Sequence, residues 1–141
     1  MATPEQVRAV REFNRFYTSF IGALGPDHLS SEVSLTEMRV LYEIAHHPGI
    51  AARDISTSMA VDAGYVSRLL KGFRNRGWVE SKPDDRDGRA RQLSLTEAGW
   101  DAFGPMQERS RLAVRNALIS LNGTQRDRLL AAMRSIRSLL A

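Results

Sequence analysis

Basic side chains that could bind phosphate are concentrated in one stretch of the sequence, residues 62–91. This stretch holds eight Lys and Arg residues against five Asp and Glu residues, so it carries +3 of the formal net charge of +4. Eighteen of the 20 basic residues in the chain are arginines, whose planar guanidinium groups make paired hydrogen bonds to phosphate and to guanine. The position of this charge predicts a face that binds nucleic acid.

Other chemistries find little support in the residue types present. The chain has no cysteine, which excludes disulfides, thiolate metal sites and a thiol-based peroxide sensor. His46 and His47 are adjacent, so on a helix their side chains point about 100° apart, and we expect no metal site and no cofactor. We also expect no catalytic residues, because no nucleophile-elbow serine and no glycine-rich phosphate loop is present.

Capping residues and apolar spacing predict the elements that position the basic stretch. In chain order, the predicted helices begin at Pro4, Leu35, Ala52, Ala63, Glu97 and Thr124, and the predicted strands span 78–82 and 92–95. Pro105 should kink or interrupt the fifth helix. The third and fourth helices form a helix-turn-helix, and the hairpin after it is a wing. We therefore predict a mainly α chain with a small β-hairpin wing: a winged helix-turn-helix flanked by N- and C-terminal helices.

The second helix of the helix-turn-helix carries the best candidates for DNA contact. Arg68 lies one turn into it and could read guanine O6 and N7, contact a phosphate, or pair with a wing aspartate. Lys71 favours a phosphate, and Tyr65 could contact DNA or lie half-buried against the short helix. Small residues at the helix N-terminus would let a phosphate approach closely. The predicted contacts from the two helices are Arg53, Ala63, Gly64, Tyr65, Ser67, Arg68 and Lys71.

Three large aromatic residues allow two interpretations. Trp78, Trp100 and Phe103 could line a ligand pocket or pack in the core. We favour the core, because large aromatic side chains dominate ordinary cores. The N-terminus lacks the layout of a signal peptide and no apolar run is long enough to span a bilayer, so we expect a cytoplasmic protein without membrane contact.

Four segments together resemble the MarR family of bacterial winged helix-turn-helix regulators. They are Leu35-Thr36-Glu37, Val61–Arg68 (VDAGYVSR), Arg76–Glu80 (RGWVE) and Asp84–Gly99 (DDRDGRARQLSLTEAG). The resemblance implies one MarR-type domain over 1–141. Its winged helix-turn-helix part would be 34–96, and its dimerisation helices would lie in 1–33 and 97–141.

By this resemblance the chain is a homodimer that binds double-stranded DNA at a near-palindromic operator. The apolar surface predicted for the first and last helices agrees, because a monomer of this length would bury it poorly. The wing would place an arginine in the minor groove. The family often has two adjacent arginines where this chain has Gly88-Arg89, so the contact could be Arg86, Arg89 or Arg91, and we favour Arg89.

The resemblance further implies a repressor that a small aromatic or anionic effector releases from DNA. The effector would lie in the crevice between the dimerisation helices and the winged part. The residues implied for it are Phe13, Arg15, Tyr17, Arg39 and His46.

Two other functions stay open. Residues 13–17 (FNRFY) and 62–65 (DAGY) are also similar to the regulator half of proteins that fuse a MarR domain to a GNAT-type acetyltransferase. The chain could instead be a winged-helix protein-interaction module without DNA binding, although the charge on 62–91 argues against that.

Overall fold

A computed structural model describes residues 1–24, 33–84, 86 and 91–141 of the chain. In chain order its elements are α1 Pro4–Leu24, α2 Leu35–His46, α3 Ala52–Met59, α4 Ala63–Asn75, β1 Val79–Pro83, β2 Arg91–Leu95, α5 Glu97–Ile119 and α6 Gly123–Leu140. The prediction of a mainly helical chain with one small antiparallel hairpin is confirmed. Among the described residues, no helix is both long and apolar enough to cross a bilayer.

The first two helices begin at reciprocal capping boxes, as their sequences predict. The Ser34 hydroxyl accepts from the Glu37 N–H (3.2 Å), and the Glu37 carboxylate accepts from the Ser34 N–H (3.1 Å). Thr3 and Gln6 make the same exchange at the start of α1. Each exchange satisfies two backbone donors that a helix end would otherwise leave unpaired, so these starts are encoded locally.

In the C-terminal region one predicted helix start is wrong, and of the two outcomes predicted at Pro105, a kink or an interruption, the interruption does not occur. Pro105 does not interrupt α5, which runs from Glu97 to Ile119. Its ring removes only one backbone donor, and burial of Phe103 and Met106 around it stabilises the continuous helix. The last helix begins at Gly123, not Thr124, because the Asn122 side chain accepts from the Gln125 N–H (2.9 Å) and acts as the cap.

The chain divides into two compact units, 26–108 and a second formed by 1–25 with 109–141. The unit 26–108, here called the winged unit, holds the core. Its two strands pair antiparallel, and Ile50 forms a bridge to Leu93 beside them. The buried hydrophobic residues among those described are Val33, Val40, Leu41, Ile44, Ala45, Ile55, Val66, Leu70, Phe73, Val79, Leu93, Leu95, Phe103 and Met106.

The other unit, here called the terminal unit, contains α1, α6 and the C-terminal part of α5. None of its side chains in 1–22 and 109–141 is buried. Large apolar side chains are instead exposed along its helices, with Phe16 64% and Ile136 39% accessible. A single chain therefore gives the described residues of this unit no buried hydrophobic core.

Candidate nucleic-acid interface

The turn between α3 and α4 presents α4 with one face buried and one exposed. Ala60 ends α3 in the left-handed conformation (φ 53°), and the Asp62 carboxylate caps α4 by accepting from the Tyr65 N–H (3.1 Å). Ile55, Val66 and Leu70 are buried and form the small core of the helix-turn-helix, and Val61 packs against the core half-buried. This packing fixes the rotation of α4 about its own axis.

The exposed face of α4 carries most of the predicted contact residues. Gly64, Ser67, Arg68 and Lys71 recur at three- and four-residue spacing, so they form one row along the helix, and all four are exposed. Ala63 is exposed at the helix start. The structure thus brings these residues together on one side of a helix whose opposite side is core.

Arg68 lies over an aromatic neighbour. Its guanidinium carbon is 5.9 Å from the centre of the Tyr65 ring, within the range of a cation–π contact. Tyr65 is half-buried, as one of its two interpretations predicts. A Cβ at position 64 would make an ordinary contact with Arg68 Nη1 (3.5 Å) and a tight one with Asp62 Oδ2 (3.0 Å), so a side chain there would crowd the cap of α4 rather than Arg68.

The other predicted arginines occupy different elements. Arg53 is exposed on α3, in its first turn. Arg86 is exposed, and its backbone N–H donates to Asp84 Oδ1 (2.8 Å), a local turn that shapes the start of the wing tip. Arg89 lies outside the described residues.

Arg91 is committed to the hairpin itself. Its Nε donates to Ser81 Oγ (2.9 Å) and its Nη2 donates to the Ser81 carbonyl (3.0 Å), tying β2 to β1. These bonds use two of the five guanidinium donors. Arg91 therefore helps to hold the two strands of the hairpin together.

The base of the hairpin is joined to α5 by a cluster of backbone bonds, here called the Thr96 junction (Gly77, Trp78, Thr96 and Gly99). The Thr96 hydroxyl donates to the Gly77 carbonyl and accepts from the Gly99 N–H (3.0 Å), and the Thr96 N–H donates to the Trp78 carbonyl (2.9 Å). The junction links the end of α4 to the start of α5, and Thr96 and Gly99 are the two residues that the start of α5 contributes to it.

The residues implied for an effector fall in both units. In the terminal unit, Phe13 and Tyr17 stack with ring centres 5.6 Å apart, and Arg15 is exposed on the same helix. In the winged unit, His46 lies against Tyr42 (4.2 Å between ring centres), and Gln107 Nε2 is 3.1 Å from His46 Nε2. The sequence analysis predicted neither the contact of His46 with Tyr42 nor the one with Gln107. Gln107 is 61 residues from His46 along the chain, so no spacing pattern could have predicted their contact.

Arg39 is paired within α2. Its Nε and Nη2 both lie 3.0 Å from Glu43 Oε1, and His47 Nδ1 lies 3.4 Å from Glu43 Oε2. Glu43 is buried, so these neighbours supply the polar partners that a buried carboxylate requires. The i, i+4 spacing of Arg39 and Glu43 was the available signal for this pair.

Only part of the core prediction for the three large aromatic residues holds. Phe103 is fully buried, and Trp78 is half-buried and stacks on Phe73 (6.1 Å). For Trp100 the prediction is wrong: 46% of it is exposed, and it meets Phe103 edge-on. Helical spacing explains the difference, because the core side of α5 is taken by Gly99, Phe103 and Met106.

The sequence of the winged unit resembles a known protein family. Residues 31–90 match the model of the MarR family. The chain is also 24% identical over 98 residues to the HTH-type transcriptional repressor IacR of Pseudomonas putida. That alignment covers 70% of this chain but only 59% of IacR, less than two thirds of its length.

Solved structures share the fold along nearly the whole chain. The crystal structure of FabT from Streptococcus pneumoniae in complex with DNA superposes with a TM-score of 0.81 at 16% identity, covering 94% of this chain and 95% of FabT. The structure of BpsR from Bordetella bronchiseptica, whose DNA binding is regulated by 6-hydroxynicotinic acid, gives a TM-score of 0.73 at 17% identity, covering 92% and 98%.

The sequence match lies on the segment that folds as α2 to the wing, and the structural matches extend that fold to both ends of the chain. The similarity to the regulator half of GNAT fusions gains no support from these relatives and stays a prediction. Residues 31–90 thus resemble the MarR family, and the chain as a whole shares the fold of FabT and BpsR.

Proposed function

We propose that this chain is a sequence-specific DNA-binding repressor that acts as a homodimer on a near-palindromic operator. The observation that carries the proposal is the exposed row Gly64, Ser67, Arg68 and Lys71 on α4, backed by a buried row. A helix presented in this way fits the major groove, where arginine can pair with guanine and lysine with phosphate. Ala63 and Arg53 complete the contact surface from the same helix-turn-helix, while Tyr65 is half-buried at the start of α4.

The wing supplies a second contact in this proposal. The resemblance places a wing arginine in the minor groove, and residues 62–91 carry most of the net positive charge. Arg91 already bonds Ser81, and Arg86 lies at the start of the wing tip, where its backbone N–H donates to Asp84. We assign the minor-groove contact to Arg89. Arg86 and Arg91 would contact the DNA backbone.

The dimer would form through the terminal unit. Its helices expose apolar faces, and none of its side chains in 1–22 and 109–141 is buried in one chain. A second copy would supply the missing core, as obligate dimer interfaces resemble a divided domain core. On this proposal 1–33 and 97–141 dimerise and 34–96 binds DNA, with half-sites about one helical turn apart.

Release from DNA by a small aromatic or anionic effector is the final part of the proposal. Support for an effector comes from the similar fold of BpsR, whose DNA binding is regulated by 6-hydroxynicotinic acid. Support for repression comes from the sequence similarity to the transcriptional repressor IacR. Phe13, Arg15 and Tyr17 offer aromatic and cationic groups on α1, while Arg39 and His46 offer them on α2. Effector release is tested by adding small aromatic acids to the DNA-binding assay described below. We expect the affinity for DNA to fall.

The test of DNA recognition is Arg68→Ala, measured by fluorescence anisotropy on duplexes that the protein selects from a random-sequence pool. We expect a loss of about 1–3 kcal/mol in binding free energy, with relaxed preference at one base pair of each half-site. Arg74→Ala is the matched control, because it removes the same charge from the last turn of the helix, beyond the N-terminal part that reads base edges, and should leave base preference unchanged. Equal weakening on every sequence would make Arg68 a phosphate contact. Absence of salt-dependent DNA binding by the unmodified chain would favour the protein-interaction module.

Arg89→Ala tests the wing contact. We expect weaker binding and a salt dependence reduced by about one unit of slope, because one cation that displaces counterions from the DNA is lost. Lys82→Ala removes the same charge from the exposed side of β1 and should change the slope less. A slope identical to that of the unmodified chain would exclude Arg89 as the contact.

A further inference from the structure

We propose that Tyr65 is a positioning residue for Arg68: its ring holds the guanidinium in the orientation used on DNA. This inference rests on the proposed function, since it concerns how the recognition helix reads its operator. It starts from the 5.9 Å separation between the guanidinium carbon of Arg68 and the centre of the Tyr65 ring. The two residues are three apart on α4, so they share one side of the helix.

The ring is a firmer support than an exposed side chain would be. Tyr65 is half-buried at the start of α4, and its N–H is held by the Asp62 carboxylate (3.1 Å). Arg68 is exposed, and an exposed arginine otherwise samples many rotamers, each of which must be given up on binding. A cation–π contact with an anchored ring removes part of that cost before DNA arrives.

The direction of the Arg68 side chain fits this arrangement. Arg68 extends back toward the N-terminus of α4, as long helical side chains do, and its Nη1 lies near Gly64. A Cβ at position 64 would be 3.5 Å from that nitrogen, an ordinary van der Waals contact, so position 64 does not obstruct the arginine. The Tyr65 hydroxyl takes no part in this geometry, and the ring alone should suffice.

The experiment is a double-mutant cycle on operator duplexes, with variants Tyr65→Phe, Tyr65→Leu, Arg68→Ala and the Tyr65→Leu/Arg68→Ala pair. We expect Tyr65→Phe to bind as the unmodified chain does. Tyr65→Leu should bind about 2- to 5-fold more weakly, the equilibrium equivalent of an exposed cation–π contact. In the Arg68→Ala background, Tyr65→Leu should have no further effect, because the group it positions is gone.

Base preference separates positioning from a merely structural role. The loss in Tyr65→Leu should fall on the base pair whose preference Arg68→Ala relaxes, with melting temperature and salt slope unchanged. Tyr65→Met provides a second ring-free variant if the leucine variant folds poorly. An equal loss in the presence and absence of Arg68 would overturn the proposal and make Tyr65 an independent contact. Failure of the proposed function would look different, because the unmodified chain itself would not bind DNA.

Discussion

A chain with Phe16→Glu and Ile136→Glu is expected to be monomeric and to bind operator DNA at least about 100-fold more weakly. Both side chains are exposed in the single chain, so the charges do not disturb a core of the protomer. In a dimer built on the terminal unit, each subunit would instead have to bury two carboxylates without partners, which costs several kcal/mol. A monomer occupies one half-site and loses the avidity of two linked contacts, about 10²- to 10⁴-fold.

The matched control is Thr18→Glu with Ser138→Glu. These positions add the same charge to the same two helices, two residues along and therefore on nearly the opposite side. Light scattering coupled to size-exclusion chromatography measures the mass, and anisotropy measures the affinity. We expect the control to remain dimeric with near-normal affinity. A dimeric Phe16→Glu/Ile136→Glu variant would show that the apolar faces of α1 and α6 do not form the interface.

Elements whose signals are local could be predicted from the sequence. The capping box at Ser34 and Glu37 depends on residues three apart, so the start of α2 is decided within one turn. The same holds for the cap of α4 by Asp62 and for the alternation of buried residues along β2. In each case the partner atoms are close along the chain, where spacing alone identifies them.

Features that depend on distant partners could not be predicted. The exposure of Trp100 depends on which side of α5 meets the core, and the continuity of that helix at Pro105 depends on the burial of neighbouring residues. The role of Arg91 depends on the strand register that places Ser81 within its reach. Tertiary packing decides these features, and a propensity for helix or turn carries no information about it.

The candidate interface divides along the same line. The row on α4 follows from helical spacing, so its residues could be named in advance. The contact of Arg68 with Tyr65 is also local, but it needs a rotamer that the sequence does not specify. Two of the effector residues implied by resemblance, Arg39 and His46, have intramolecular partners that resemblance did not include, Glu43 and Gln107.

Gly99→Ala is expected to lower the melting temperature by about 4–10 °C, the largest stability effect anticipated for a single methyl group in this chain. A Cβ at position 99 would lie 2.1 Å from the Trp78 carbonyl oxygen and 3.0 Å from the carbonyl carbon. Neither backbone can move away easily, because the same carbonyl accepts from the Thr96 N–H and the Trp78 N–H donates to the Phe73 carbonyl. The Thr96 junction must therefore open for alanine to fit.

Two opposing terms set the size of that effect. Overpacking against fixed backbone costs about 3 kcal/mol, and alanine's higher helix propensity returns at most about 1 kcal/mol, leaving roughly 2 kcal/mol of net destabilisation. Gly72→Ala is the matched control: nothing lies within 4 Å of a Cβ there, so the same substitution should raise the melting temperature slightly. Both are measured at one protein concentration, because dimerisation would make the melting temperature concentration-dependent. An unchanged melting temperature for Gly99→Ala would mean that the close approach of α5 to Trp78 is not part of the folded state.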